Sequence, residues 1–199
     1  MIDYAKVLAS SNLIPASFHK NPANVLVAMQ IAQHHDLCPL MVMNDIYIIH
    51  GRPALTGKFV LALLHSAKRF QGKKIDFEFE KNHEGLEGNL ACRVTINKDE
   101  LQGIWVSMET ARKEGWIRKA GSKWLTIPEL MLRYRAATWF ARLYAPEILM
   151  GFKTDDEFFD IDAHHQHHAP HKVKESSEEF SGTGTGTGKG ITKVSEIFL

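Results

Sequence analysis

The chain predicts an α+β fold: one domain in which a sheet of hairpin and β-meander strands packs with helices, followed by a disordered C-terminal tail. Three observations carry this reading. Two alternating runs, Ile75-Phe77-Phe79 and Leu90-Cys92-Val94-Ile96, flank the polar loop KNHEGLEG and make a β-hairpin. Helical patterns precede and follow that hairpin instead of alternating with single strands, which argues against a doubly wound parallel sheet. Beyond Phe159 the composition changes to AHHQHHAPH and then KVKESSEEFSGTGTGTGKG, too poor in apolar surface to offset backbone entropy. The expected division is a folded domain over 1–154 and an acidic, His- and Gly/Thr-rich flexible tail over 155–199, with ITKVSEIFL at its end as a short amphipathic docking segment.

The elements follow in order. Asn21-Pro22 opens a helix that runs to about Asp36, with Val25, Met29 and Ala32 at helical spacing. Ile46 to Ile49 is a short apolar strand, His50-Gly51-Arg52-Pro53 turns the chain, and Ala54-Leu55 returns it. Gly57 to about Arg69 reads as a helix with Phe59, Val60, Leu63 and Leu64 inward. After the main hairpin, Gly103 to Val106 adds a third strand, and Ser107 caps a short helix that stops at Gly115. The last helix lies in WLTIPELMLRYRAATWFARLYAPEILMG. Thr126 and Glu129 have the spacing of a capping box, Pro128 suits the first turn, and Pro146 ends the run.

Composition narrows the function. The chain has 199 residues, two cysteines (Cys38 and Cys92) and a net charge of +1, with no disulfide framework and no apolar run of membrane-span length. Its start lacks the pattern of a signal peptide, so a soluble cytoplasmic protein is expected. The small net charge hides an asymmetry. Residues 1–154 hold 20 Lys/Arg against 14 Asp/Glu, a balance of +6, whereas 155–199 hold 4 against 9, a balance of −5. From Ile104 to Ala145 there are eight basic residues and three acidic ones. A basic folded part beside an acidic tail fits a polyanion-binding surface with a tethered competitor.

No catalytic constellation emerges. In GTGTGTGKG the positions that a phosphate loop needs as glycine and Ser/Thr hold Thr183 and Gly190, so the segment reads as a linker. The histidines at 164, 165, 167, 168 and 171 bind metal adventitiously, because a flexible segment lacks the second shell of a defined site. Asp155, Asp156, Glu157, Asp160 and Asp162 read as a solvated charge run; the competing view is a Mg²⁺ nuclease site.

The stronger signal is basic and aromatic. On the last helix, Leu130, Tyr134, Ala137, Phe140, Ala141 and Tyr144 share one face, while Met131, Arg135, Trp139 and Arg142 share the other and Arg133 leans to the apolar side. The loop WIRKAGSKW sets Trp116 and Trp124 beside Arg118, Lys119 and Lys123, with Arg112 and Lys113 just upstream. Cations that follow phosphates beside aromatic faces that accept any base are the pattern of sequence-tolerant single-strand binding. One tryptophan is expected in the core and the other available to bases.

Two stretches resemble the RecT family of single-strand annealing recombinases from phages and prophages. They are NPANVLVAMQIAQHHDLCPLMVMNDIYIIHGRPALTGKFVLALL and WLTIPELMLRYRAATWFARLYAPE, in the family's order, within residues 21–151. The resemblance implies a β-meander packed with helices, and a protein that coats single-stranded DNA and anneals complementary strands without ATP in recombination and repair. It implies rings or helical filaments of the chain itself, a phage exonuclease and host single-strand-binding protein as companions, no membrane, no enzymatic activity and no resident cofactor, with Mg²⁺ left open. By segment and charge, the DNA groove that it implies would draw on Lys58, Lys73, Lys74, Arg112, Lys113, Arg118, Lys119, Lys123, Trp124, Arg135, Trp139 and Arg142. The alternatives are the Mg²⁺-dependent nuclease and a scaffold whose basic face binds an acidic protein partner.

Overall fold

Asn21 accepts a hydrogen bond from the Asn24 amide at 3.2 Å, Pro22 fills the first helical position, and Asp36 ends the helix in a left-handed conformation. Local chemistry of this kind sets many of the element boundaries. The computed structural model describes residues 1–158 except Asp99, Lys119 and Ala120. The elements are α1 (Ile2–Ala9), α2 (Pro22–His35), α3 (Pro39–Asp45), β1 (Ile46–Ile49), β2 (Arg52–Leu55), α4 (Gly57–Ser66), β3 (Ile75–Glu80), β4 (Ala91–Ile96), β5 (Leu101–Gln102), β6 (Val106–Ser107), α5 (Met108–Lys113), α6 (Lys123–Thr126), α7 (Pro128–Tyr144) and β7 (Lys153–Thr154). The architecture is α+β, and all described residues belong to one packed unit.

Two small sheets carry the fold. In the first, β1 and β2 form an antiparallel hairpin around His50 and Gly51, both at positive φ, and β2 pairs in parallel with β7 through Ala54–Lys153 and Leu55–Thr154. In the second, β3 pairs with β4 in the register Ile75–Ile96, Phe77–Val94 and Phe79–Cys92, so the two alternating apolar sets share one face. The expected third strand over 103–106 is instead split into two two-residue strands, β5 just before that range and β6 starting at its last residue, both paired with β4. Gly103 lies between them, with space for a Cβ only 3.2 Å from the Phe140 ring. Close approach of α7 therefore breaks the strand there.

Helix α7 is the centre of the molecule. It packs against both α4 and β4. From Arg135 to Ala141 every residue is buried except Trp139, which is half-buried. Leu132 and Phe140 have no exposed surface, and burying each contributes about 1.5–3 kcal/mol. Gly57 marks the crossing with α4, since a Cβ there would lie 2.8 Å from the Tyr134 Cβ. This enclosure corrects the two-faced helix that the sequence predicted. Exposed side chains of α7 occur toward its ends, at Glu129, Leu130, Arg133 and Leu143.

Other boundaries differ as well. Thr126 does not cap α7; it ends the separate turn α6, and Ile127 precedes Pro128 without a side-chain cap. Helix α4 stops at Ser66, and Lys68–Phe70 continues as a 3-10 turn. Helices α1 and α3 carry no strong periodic signal and were not anticipated. From Phe159 onward the expected tail, with its histidine run, glycine linker and terminal docking segment, lies outside the described residues. Its first residues do not behave as a solvated run: Asp155 and Asp156 are half-buried, Phe158 is buried and Glu157 binds Arg142.

Candidate nucleic-acid interface

The elements that carry Arg112, Lys113, Arg118 and Lys123 rest on a built floor. Ser107 accepts from the Thr110 amide to start α5, and the buried Asn89 accepts from the Glu109 amide at 2.8 Å. Gly115, at φ +75°, then turns the chain into a 3-10 turn at Trp116–Arg118. The Ser122 hydroxyl donates to the Trp116 carbonyl at 2.8 Å and draws the start of α6 back over that turn. Trp116 and Trp124 pack with ring centroids 5.0 Å apart, and Trp139 meets Trp116 edge-on at 6.2 Å. The Arg135 guanidinium lies 3.9 Å from the Trp116 ring centroid, closing the floor from below.

This floor overturns two expectations. Trp116 and Trp124 are 3% and 4% exposed, so neither presents a face to a base, and Trp124 serves the core. Arg135 is 3% exposed and also belongs to the interior, whereas Arg133, expected toward the apolar side, is exposed and lies over the Phe79 and Phe77 rings at 5.0 and 5.8 Å. The stripe of Arg135, Trp139 and Arg142 is therefore not an open surface. Arg142 is engaged too: its Nε and Nη2 donate to Glu157 at 3.2 and 2.6 Å, and Nη2 also donates to the Phe152 carbonyl at 2.8 Å.

Around Glu157 the electrostatics oppose one another. Burial works against its carboxylate, but the Arg142 guanidinium and the Thr154 amide outweigh it and hold its pKa below the ordinary value. Asp155 accepts from the Asp156 amide at 3.0 Å, which does not offset its burial. Burial, and then the neighbouring Asp156, push its pKa up to about 6. Among the described residues no group of three or more His, Cys, Asp or Glu is arranged to hold a metal ion. Asp160 and Asp162 of the acidic cluster lie outside the described residues. Burial likewise pushes the Cys92 thiol up to about 12, so it is a core residue and no nucleophile.

The remaining candidates are exposed or half-buried, and most have a carboxylate neighbour. Lys58 lies 2.7 Å from Asp45, whose hydrogen bond and charge raise the lysine pKa. Lys73 pairs with Glu100, and Lys74 lies 2.9 Å from Asp76. Arg112 and Lys113 share Glu109 at 3.1 and 3.8 Å. Arg118 and Lys123 are exposed and have no carboxylate partner among the described residues. Lys119 lies outside the described residues. Arg112 and Lys113 thus stand on α5, Arg118 on the 3-10 turn packed against it and Lys123 on α6, while Lys58 and Lys73-Lys74 stand on other elements, each with its own counterion.

Sequence reasoning missed a second basic group, Lys68 and Arg69, which lines a cleft with three histidines. The signal was present as four cations in the seven residues KRFQGKK. No helix among the described residues is long and apolar enough to cross a membrane. Comparison of the chain with protein-family models, with curated proteins and with solved structures gives no match.

Proposed function

We propose that the chain binds single-stranded DNA through its basic segment and anneals complementary strands without ATP, as a cytoplasmic protein of recombination and repair that acts by alignment and makes no bond. One observation carries this reading: Arg112, Lys113, Arg118 and Lys123 stand exposed on elements beside a floor made of the buried Trp116 and Trp124 and the half-buried Trp139. A rigid support fixes the spacing of the cations, so phosphates spaced along a strand meet them at low ordering cost. Exposed ion pairs such as Lys113–Glu109 contribute at most about 1 kcal/mol, so a phosphate can replace the carboxylate. Neutralised strands on one scaffold no longer repel, and their local concentration rises.

The enclosed tryptophans change the mechanism from stacking to backbone tracking. The resemblance to RecT recombinases supports the annealing step, self-assembly into rings or filaments, and the exonuclease and host single-strand-binding protein as companions. No resident cofactor enters this reading. The nuclease alternative loses support because Glu157 is committed to Arg142. Incubating labelled complementary oligonucleotides with the protein, with and without ATP and Mg²⁺, and resolving them on native and denaturing gels tests the reading. Duplex formed at equal rates without ATP, with intact strands, is the expected result. Cleaved strands, or affinity only for acidic protein, would overturn it.

A further inference from the structure

Among the described residues β3 pairs only with β4 and forms the open edge of its sheet. It is six residues long, whereas β5, β6 and β7 have two residues each and β1 has four. One hydrogen bond fixes which way its backbone faces. The Asn97 amide donates to the Lys74 carbonyl at 2.9 Å, so Lys74 and, by alternation, Asp76, Glu78 and Glu80 turn their backbone groups toward β4. The N–H and C=O groups of Ile75, Phe77 and Phe79 then point out of the sheet. Edges are commonly blunted by a proline, a bulge or a charge turned inward. β3 has none of these, and its register runs unbroken from Ile75 to Glu80.

The two faces of this edge differ in chemistry. On one, Ile75, Phe77 and Phe79 are half-buried, and the exposed Arg133 lies over the Phe77 and Phe79 rings at 5.8 and 5.0 Å. A side chain laid beside these rings is best apolar, because a cation would meet Arg133. On the other face every residue of β3 is acidic: Asp76, Glu78 and Glu80. Each carboxylate has one partner at one oxygen, Lys74 at 2.9 Å, Arg93 at 2.7 Å and His83 at 2.8 Å respectively. Two oxygens give about four acceptor sites, so each keeps capacity for a second donor. Arg93 stays with β4, held on its other side by Gln102 at 2.8 Å and the Trp105 ring at 4.6 Å. Strands lie about 4.8 Å apart, so a residue opposite Glu78 is about 5 Å from it and about 10 Å from the Arg93 backbone. The acid row therefore sets the sign that a neighbouring strand meets. It also disfavours a second copy, since two β3 edges joined antiparallel would place carboxylate opposite carboxylate.

We propose that the open edge of β3 docks an extended segment of a partner protein in which Lys or Arg alternates with apolar residues. Added antiparallel, such a strand exchanges hydrogen bonds with the N–H and C=O groups of Ile75, Phe77 and Phe79. Its apolar residues lie beside Phe77 and Phe79, and its cations lie opposite Asp76, Glu78 and Glu80. Those are the non-hydrogen-bonded positions, where Cα atoms approach to about 4.5 Å and side chains come closest. Backbone pairing supplies affinity for any extended chain, and the acid row selects the basic one. No nucleic acid enters, so the site stands or falls apart from the annealing reading.

The test uses the full chain and the labelled peptide KVKVKVK, with EVEVEVE and the rearranged KKKKVVV as controls. Anisotropy measures affinity, and amide hydrogen exchange followed by NMR locates the contact. KVKVKVK is expected to bind at least about tenfold more tightly than either control. It should slow exchange at Ile75, Phe77 and Phe79, whereas the amides of Asp76, Glu78 and Glu80 are protected in the free protein already. Asp76→Lys with Glu78→Lys should invert the preference, so that EVEVEVE binds more tightly than KVKVKVK, an outcome that damage to the fold does not produce. Phe77→Pro removes one outward N–H while leaving the ladder to β4 in place, and should weaken KVKVKVK by about fivefold or more. Equal binding of KVKVKVK and KKKKVVV, or unchanged exchange at the three outward amides, overturns the proposal. Protection of those amides in the free protein that grows with its concentration would assign the edge to a second copy and overturn it as well.

Discussion

The Arg135 guanidinium stacks on the Trp116 ring at 3.9 Å with only 3% of the arginine exposed. Its charge also reaches Asp155 and Glu157 and favours the ionised form of each, although burial still leaves Asp155 raised to about 6, so the residue ties the tryptophan floor to the segment after β7. A cation so enclosed belongs to folding, with its stem packed as an apolar residue would be.

Arg135→Ala is therefore expected to lower stability by about 3 kcal/mol or more, because it leaves a void beside Trp116 and takes a cation away from the half-buried Asp155. Arg135→Lys should recover little of this, since an ammonium does not stack as a plane. Arg133→Ala removes an exposed cation–π contact with Phe79 and should cost about 0.5–1 kcal/mol. Urea unfolding of the three variants checks the order; equal losses at both arginines would contradict the packing described.

The reversal of Arg133 and Arg135 shows where the sequence was legible. Hairpins were readable because both of their determinants are local: the alternation of Ile75, Phe77 and Phe79 and the His50-Gly51 turn lie within a few residues of the strands they set. The α7 pattern was misread because helical periodicity assumes one wet face, and α7 is surrounded in its middle turns. Trp116 and Trp124 were separated into one buried and one available ring because neither their mutual contact nor Trp139 is visible along the chain. Strand β7, two residues long and paired with residues about a hundred positions earlier, has no local signature at all. The cleft is of the same kind, since His34, His65, Lys68 and Glu147 meet only through the packing of four separate elements.

The carboxylates after β7 give stability two opposing dependences on pH. Asp155 has a folded pKa of about 6 against an ordinary 3.8, so its contribution is fully present below about 3.8 and is lost as pH rises through 6. Glu157 is held below 4.5, so its contribution is present above that value and is lost as pH falls through the folded pKa. Asp155→Asn should then stabilise the protein by about 1–3 kcal/mol at pH 8 and have little effect at pH 4. Glu157→Gln should destabilise by about 1.5–3 kcal/mol at pH 7, with the loss fading in acid. Unfolding midpoints at pH 3, 4, 6 and 8 decide it, and a stabilising Asp155→Asn at pH 4 would contradict the assignment.

The same residues move the functional boundary of the folded part. Glu157 binds Arg142 and Phe158 is 8% exposed, so a chain ending at Thr154 leaves a half-buried arginine without its carboxylate and uncovers apolar surface. Truncation after Thr154 should cost about 3 kcal/mol or more. The charge argument shifts with it. Residues 159–199 hold 4 basic and 6 acidic side chains, a balance of only −2, so they compete weakly for the basic segment. Truncation after Phe158 should therefore tighten binding of short oligonucleotides by less than about threefold at low salt. A larger gain would restore the tail as a strong competitor.

The salt dependence of binding tests the basic segment itself. Releasing counterions from a single strand gives a log–log slope of about 0.7 per phosphate neutralised. Arg118 and Lys123 have no carboxylate partner among the described residues, so each can take a phosphate at no cost in internal pairing. Replacing both with alanine should lower the slope by about 1.4 and weaken binding at every oligonucleotide sequence alike, because backbone contacts carry no base information. Lys58 starts from a 2.7 Å contact with the largely buried Asp45, and a phosphate that recruits it must leave that carboxylate uncompensated. Lys58→Ala should consequently change the slope by much less than about 0.7 and instead reduce stability slightly. Fluorescence titrations with (dT)15 from 50 to 300 mM NaCl measure both slopes. An unchanged slope in a stably folded Arg118→Ala/Lys123→Ala protein would remove this segment from the strand's path.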